Sequence, residues 1–140
     1  MRARMASFVT AIALLGATSP AFAHHPFAAE FDANKPVTLT GTITKVNWEN
    51  PHTYVFLDVK GDSGAVTNWK VELGGPVALT NRGWSRAMLK TGEQVTVDGW
   101  QAKDGSHLAN AKSFKMPNGK TMSAASSYAG TTSKQKPGSN

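Results

Sequence analysis

Alternation of apolar and polar side chains is the feature that most constrains the fold of this chain. Val55, Leu57 and Val59 occupy every second position of one segment, and the same period returns in residues 66–73 and 93–100. A side-chain period of two is typical of strands that bury one face. We therefore predict an all-β core. The sequence contains no cysteine, which excludes disulfides, zinc–cysteine sites and thiol catalysis.

The first predicted strand changes phase along its length. Its apolar positions Leu39 and Ile43 are followed by Val46 and Trp48, with Gly41 near the centre of the segment. Such a switch indicates a bulge or a sharp bend. A bent first strand is what a small closed sheet needs, because that strand takes part in both sides of the closure.

The strand pattern is interrupted after the Gly-Gly-Pro sequence at 74–76. Trp84 and Met88 there have a spacing that suits short helical turns. The strand pattern then resumes and ends in a ribbon around Asn118 and Gly119, a pair that favours a tight type I′ hairpin. The order predicts a small OB-like (oligonucleotide/oligosaccharide-binding) barrel of five strands, with a short helical connection between strands 3 and 4 and a terminal β-ribbon. An immunoglobulin-like sandwich is the alternative, but it needs about seven strands.

The first 23 residues have the pattern of a secretory signal peptide. Arg2 and Arg4 precede an apolar run, and the segment closes with the A-x-A sequence at 21–23. Pro20 interrupts the run well short of the roughly 20 residues that a membrane-spanning helix needs, so no membrane span is expected. We expect cleavage after Ala23 and a periplasmic or secreted location.

An apolar arm is predicted between the signal peptide and the barrel. Phe27 and Phe31 are too apolar for a free linker, and we expect both to be buried against the barrel wall, where they would cover Tyr54 and Phe56. The end of the chain has one sizeable apolar side chain, Tyr128, and is predicted to be disordered. The expected division is a signal peptide (1–23), an N-terminal arm (24–36), an OB-like β-barrel domain (37–122) and a disordered tail (123–140).

The charge of the chain is mildly basic. Removing Arg2 and Arg4 with the signal peptide leaves 13 of the 15 basic residues against nine acidic ones. This excess is smaller than that of a typical nucleic-acid-binding domain. A nucleic-acid-binding barrel is one alternative function that the fold allows, but the expected compartment argues against it, so no nucleic acid is expected as partner.

No motif in the sequence predicts catalysis. Phosphate-binding glycine loops, the His-Glu-x-x-His sequence and the Gly-x-Ser-x-Gly sequence are all missing. Asp58, Glu72 and Asp98 are predicted on outer strand faces. Lys60 and Lys70 share those faces, so we expect cross-strand ion pairs rather than catalytic carboxylates. The protein is not expected to be an enzyme.

Histidines offer one candidate site. Cleavage after Ala23 would give His24 a free α-amine beside its imidazole, and His25 follows directly. An amine with imidazole nitrogens suits Cu(II), and His52 is the best candidate for a further ligand from the fold. Copper is therefore the one cofactor that the sequence suggests. The alternative is that the two terminal histidines form a polar end and that His52 caps a loop.

Aromatic side chains offer a second candidate site. Tyr54 and Phe56 point away from the apolar face of their strand and could stack on bases or sugar rings. Trp84 lies between Arg82 and Arg86 and is predicted to be exposed, with a basic flank that would attract an anionic partner. These five residues are the candidate ligand-binding residues.

Five motifs are spread along the chain: His24-His25-Pro26-Phe27, Glu30-Phe31-Asp32, Trp48-x-Asn50-Pro51-His52, Gly83-Trp84 before Lys90-Thr91-Gly92-Glu93, and Asp98-Gly99-Trp100. Through these motifs the sequence resembles a family of small exported bacterial proteins of unknown function. The resemblance implies export and a β-rich domain, and it implies no activity. We therefore expect an exported, non-catalytic binding or accessory domain, with copper handling as the alternative; the partner would be a small molecule, a metal ion or a periplasmic protein.

Overall fold

A computed structural model describes residues 27–126 of the chain. Most of these residues lie in strands, which confirms the all-β class, and two short helical segments form the predicted connection between the third and fourth strands. The elements in chain order are α1 (Phe27–Glu30), β1 (Phe31–Asn47), β2 (Tyr54–Lys60), β3 (Val66–Glu72), α2 (Pro76–Asn81), a 3-10 helix (Arg86–Met88), β4 (Gln94–Ala102), β5 (Leu108–Lys115) and β6 (Thr121–Ser123).

The strands form one sheet in the order β3-β2-β1-β4-β5-β6. Its long β1 pairs antiparallel with β4 through its first part and with β2 through its second part. The sheet has one further pairing, in which Lys70 to Glu72 of β3 run parallel to Leu108 to Asn110 of β5. Strands β1 to β5 therefore pair with one another in the cyclic order 1-2-3-5-4, and β5 also pairs with β6.

The bulge predicted in β1 is present. The register between β1 and β2 shifts between Ile43 and Lys45. Close by, Gly41 lies so near β2 that a Cβ atom on it would be 2.8 Å from the carbonyl oxygen of Asp58. A side chain at Gly41 would therefore push the two strands apart where β1 bends.

The alternating apolar side chains form one core with members from every strand. A fully buried Leu, Ile or Val contributes about 1.5–3 kcal/mol relative to an exposed one. The period of two therefore identifies the face of each strand that stabilises the fold. Strand residues in this core include Leu39, Ile43, Val55, Leu57, Val71, Val95, Val97, Ala109, Phe114 and Met122.

The predicted arm is partly a strand. β1 begins at Phe31, which pairs with Ala102 of β4, so the boundary predicted after residue 36 lies inside β1. Phe31 is buried as expected, with 2% of its surface exposed. The ring of Phe27 contacts the rings of Phe31 and Trp100, with centroids 5.6 and 5.3 Å apart. These contacts lie along β4 rather than over Tyr54 and Phe56, because pairing with β4 directs the start of β1.

The first residues of the predicted tail are packed against the domain. The N–H of Gly74 donates a hydrogen bond to the carbonyl oxygen of Ala124 at 3.0 Å, and the N–H of Ala124 donates to that of Lys112 at 2.9 Å. Ala124, Ala125 and Ser126 are buried. The ordered domain thus extends to at least residue 126, because backbone hydrogen bonds hold a segment that has few large apolar side chains. Residues 127–140, with Tyr128, lie outside the described residues.

The turn before β6 differs from the predicted type I′ hairpin. The N–H of Gly119 donates to the carbonyl oxygen of Met116 at 2.9 Å, which places Pro117 at the second position of the turn. Proline holds its φ near −65°, whereas a type I′ turn needs positive φ at that position. Of these residues, Gly119 has positive φ, at 82°. Pro117 therefore moves the turn back by one residue.

Candidate ligand site

The loop between β1 and β2 is held against the end of β3. The N–H of Thr53 donates to the carbonyl oxygen of Gly74 at 3.2 Å, and the N–H of Leu73 donates to that of Thr53 at 2.8 Å. A Cβ atom on Gly75 would lie 2.6 Å from the carbonyl oxygen of Pro51, so a larger residue would displace the loop. This packing places the neighbouring His52 over the last residue of β3.

That last residue is Glu72, and its carboxylate is the centre of a polar cluster. Tyr54 donates a hydrogen bond from its hydroxyl to Oε2 at 3.3 Å, and Asn110 donates from Nδ2 to Oε1 at 3.1 Å. The Nδ1 atom of His52 lies 3.6 Å from the same Oε1. The four residues, here named the Glu72 cluster, come from β2, β3, β5 and the loop before β2. The fold thus joins at one point side chains that are up to 58 positions apart.

The burial of Glu72 overturns the ion pair predicted for it. Only 6% of its surface is exposed, because the loop before β2 and the segment around Ser126 cover this end of β3. Asp58 and Asp98 remain exposed, and they accept hydrogen bonds from Asn68 (3.0 Å) and Thr38 (2.7 Å). Alternation predicts the face on which a side chain lies, but it does not predict what covers that face.

Burial changes the acid–base properties of the cluster. Loss of solvation raises the pKa of Glu72 from its ordinary value of 4.5 to about 7, and the charge of Glu30 adds to the rise. The hydrogen bonds from Tyr54 and Asn110 and the charge of Lys70 oppose it. Burial, followed by the charge of Glu72, raises the pKa of Tyr54 to about 12. Near neutral pH, the hydroxyl of Tyr54 therefore keeps its proton and donates a hydrogen bond, while Glu72 is present in both its protonated and its ionised form.

Two buried polar atoms near Glu72 have no hydrogen-bond partner among the described residues. They are Oδ1 of Asn110 and Oγ1 of Thr53. The amide nitrogen of Asn110 is engaged, since it also donates to Oγ of Ser126 at 3.3 Å. A buried acceptor without a donor costs about 1–3 kcal/mol, so these atoms mark unused capacity for hydrogen bonding.

Lysine side chains lie over the predicted aromatic platform. The Nζ atom of Lys70 is 4.1 Å from the ring centroid of Tyr54, and that of Lys45 is 5.4 Å from that of Phe56. Both rings are half-buried. Each pair is an attractive cation–π contact, of about 0.5–1 kcal/mol at an exposed position. The face is therefore a row of rings paired with cations rather than an open apolar surface.

The prediction that Trp84 is exposed is wrong. Only 2% of its surface is exposed, its Nε1 donates to the carbonyl oxygen of Ser123 at 2.8 Å, and its ring meets Phe114 edge-on at 5.7 Å. The connection between β3 and β4 contributes Leu79, Trp84 and Leu89 to the core, and Trp84 is the largest of these side chains. Arg82 and Arg86 are exposed, and Arg82 donates to the carbonyl oxygen of Ala125. These three residues do not form a joint aromatic and basic surface.

Of the predicted metal ligands, the structure describes His52. His24 and His25 lie outside the described residues. Between residues 27 and 126, no group of three or more His, Cys, Asp or Glu side chains is arranged to hold a metal ion. His107, the fourth histidine of the sequence, packs beside the ring of Trp69, with centroids 5.1 Å apart.

Sequence reasoning missed the two central residues of the cluster, Glu72 and Asn110. One signal was available for Asn110, since it is a polar residue between Ala109 and Ala111 in a strand segment of small apolar residues. A buried amide in such a segment needs polar partners, and Glu72 is its register partner in β3. No comparable local signal distinguishes Glu72 from an ordinary exposed strand residue.

Comparison with known proteins identifies a family. Within the described part of the chain, no helix is long and apolar enough to cross a membrane. None of the curated proteins matches the chain. A family model described as a family of unknown function (DUF6152) matches residues 12–111, which include β1 to β4 and the first part of β5. This match covers well over half of the sequence, and the chain therefore belongs to the DUF6152 family of unknown function.

Proposed function

We propose that this protein is an exported binding domain without catalytic activity, built on an OB-like barrel, and that its ligand binds at the Glu72 cluster. The observation that carries the proposal is the buried carboxyl group of Glu72, shared by His52, Tyr54 and Asn110. Buried polar groups of this kind are costly to maintain, and they concentrate at functional sites.

The strand pairing supports the OB-like barrel. The cyclic order 1-2-3-5-4, with a helical connection between β3 and β4, is the arrangement expected of a five-stranded closed sheet of this type. The parallel pairing of β3 with β5 completes the cycle, and the Glu72 cluster lies at that pairing. The cluster therefore sits where two chain segments converge, a common position for a ligand site.

The chemistry of the cluster favours binding over catalysis. Both carboxylate oxygens of Glu72 are engaged by donors, and the hydroxyl of Thr53 has no base within hydrogen-bonding distance among the described residues. A nucleophile needs such a base to be activated. The two buried polar atoms without a partner, Oδ1 of Asn110 and Oγ1 of Thr53, can both accept hydrogen bonds. The negative charge of Glu30 contributes to the raised pKa values of both Glu72 and Tyr54. The ligand that fits is a small cationic or donor-rich molecule.

Export is part of the proposal and rests on the signal-peptide pattern of residues 1–23. Expression of the full chain in a bacterial host, followed by mass spectrometry of the periplasmic fraction, tests it. A product that begins at His24 is the expected result. Recovery of the uncleaved chain from the cytoplasm would contradict it.

The binding proposal is tested by native mass spectrometry of protein purified from the periplasm. We expect a retained small molecule whose mass disappears in Glu72→Gln, a variant that keeps the shape of the side chain but removes its charge. Asp58→Asn is the matched control, because Asp58 is an exposed carboxylate of β2 outside the cluster. Equal retention in Glu72→Gln and in the wild type would rule out the cluster as the site.

Copper handling through His24, His25 and His52 is the second candidate function. The contact between Glu72 Oε1 and His52 Nδ1 favours it, because histidines that bind metals commonly have their other ring nitrogen oriented by a carboxylate. His52 would then supply one metal ligand, together with the amine and imidazoles of the cleaved terminus. This arrangement supplies nitrogen ligands that suit Cu(II).

Calorimetric titration with Cu(II) tests the copper function on protein that begins at His24. His24→Ala and His52→Ala should each weaken binding at least about tenfold, a loss of roughly 1.4 kcal/mol. His107→Ala is the control, because His107 packs against Trp69 at a separate place. Unchanged affinity in both of the first two variants would exclude the site.

A further inference from the structure

Three methionines line one cavity. The sequence has five methionines, two of them at positions 1 and 5, and the other three are Met88, Met116 and Met122. All three of these border a cavity of about 340 Å³ between the 3-10 helix and the β5–β6 ribbon. The chain therefore concentrates every methionine beyond the predicted signal peptide at a single place.

The register of the ribbon explains why two of these side chains share a face. Phe114 of β5 pairs with Met122 of β6, and the N–H of Met116 donates to the carbonyl oxygen of Lys120 at 2.8 Å. Met116 lies two residues beyond Phe114, on the same face, so Met116 and Met122 are diagonal neighbours. Such neighbours are about 7–8 Å apart, within reach of long side chains. Both are buried, with 8% and 6% of their surface exposed.

Met88 approaches from the other side of the cavity. It is half-buried in the 3-10 helix, whose backbone is held by a hydrogen bond from the N–H of Met88 to the carbonyl oxygen of Ser85 at 3.0 Å. Three flexible thioethers thus border one space from two separate elements. Methionine often fills irregular gaps in a core, and Met116 and Met122 belong to the core here, but all three side chains also border the open cavity.

We propose that Met88, Met116 and Met122 bind a soft monovalent metal ion, Cu(I), through their thioether sulfur atoms. Thioethers are neutral, soft ligands that select Cu(I), and they need no deprotonation. Glu93, Lys90 and Lys120 line the same cavity. The carboxylate of Glu93 balances the charge of a bound cation, and the two lysine side chains are exposed, so their ammonium groups are solvated. The methionine site shares no residue with the Glu72 cluster. A test of one site therefore does not decide the other.

The test is titration of the purified protein with Ag(I), a redox-stable substitute for Cu(I), followed by anaerobic competition for Cu(I) with a chromophoric chelator. We expect one equivalent to bind. Met88→Leu, Met116→Leu and Met122→Leu should each weaken binding at least about tenfold, and the triple variant should abolish it. Leucine keeps the apolar volume and removes the sulfur, so these variants are expected to fold.

Leu57→Met is the matched control, because it adds a thioether to the core without changing the residues that line the cavity. Its affinity for Ag(I) should equal that of the wild type. A second measurement needs no variant: with methyl-labelled methionine, the NMR signals of all three methyl groups should shift together and stop shifting at one equivalent. Absence of Ag(I) binding, unchanged binding in the triple variant, or methyl signals that do not move would overturn the proposal.

Discussion

Asn110 donates a hydrogen bond from Nδ2 to Oε1 of Glu72 at 3.1 Å, and the two residues are also register partners in the parallel pairing of β5 with β3. Their side chains therefore reinforce the pairing that completes the cyclic order of the sheet. Both residues are buried, so the hydrogen bond is shielded from competing water.

Replacing Asn110 should destabilise the protein. Asn110→Ala removes a donor from Glu72 and from Ser126, and it leaves buried oxygen atoms without their partner. We expect the free energy of unfolding to fall by about 1–3 kcal/mol, measured by urea denaturation. Asn68→Ala is the control, because Asn68 donates to Asp58 at an exposed position, and it should change stability by less than about 0.5 kcal/mol. Equal effects of the two substitutions would contradict the role of Asn110.

Stability should depend on pH through Glu72. Its pKa in the folded protein is about 7, above its ordinary value of 4.5, so the folded state holds the proton more tightly than the unfolded state. The free energy of unfolding should therefore fall as pH rises from about 4.5 to about 7, by up to roughly 3 kcal/mol from this group. Below that window both states are protonated, and the group contributes no pH dependence.

Glu72→Gln isolates this contribution. The glutamine cannot ionise, so the variant should lose most of the decrease in stability between pH 4 and pH 8, with urea denaturation in the presence of a chelator as the measurement. Asp58→Asn should retain the decrease, because Asp58 is exposed. If the stability of the wild type rises across this window and Glu72→Gln behaves in the same way, the pKa of Glu72 is not raised by folding.

Phe31 should be essential to the start of β1. Its side chain is 2% exposed and contacts Phe27, and the N–H of Lys103 donates to the carbonyl oxygen of Glu30 directly before it. We expect Phe31→Ala to lower the free energy of unfolding by about 3–5 kcal/mol, the usual cost of removing a packed phenylalanine. Phe27→Ala should cost less, because Phe27 is only half-buried. A thermal melt of Phe31→Ala that coincides with that of the wild type would refute this packing.

Gly75 should position the loop that carries His52. A Cβ atom there would lie 2.6 Å from the carbonyl oxygen of Pro51, whereas the nearest atom to a Cβ on Gly61 would be 3.6 Å away. Gly75→Ala should therefore cost about 1–3 kcal/mol, and it should shift the NMR signals of the His52 ring. Gly61→Ala should do neither. An unperturbed His52 signal in Gly75→Ala would show that the loop is placed by other contacts.

Some features followed from the sequence because their cause is local. The period of two predicted the strands, the phase switch between Ile43 and Val46 predicted the bulge, and the interrupted pattern after residue 76 predicted the helical connection. The turn before β6 was predicted wrongly because two local preferences conflict there. Asn118 and Gly119 favour a type I′ turn, but Pro117 places the turn one residue earlier.

The candidate site depends on contacts between distant segments. Alternation determined that Glu72 lies on the face opposite Val71, and by itself this suggested an exposed carboxylate. The tertiary structure decided otherwise, because the loop before β2 and the residues up to Ser126 cover that face. Trp84 was misjudged for the same reason, since its flanking arginines are exposed while its own ring lies against Phe114. A strand's period determines which side chains share a face, but burial and pKa depend on what packs over it.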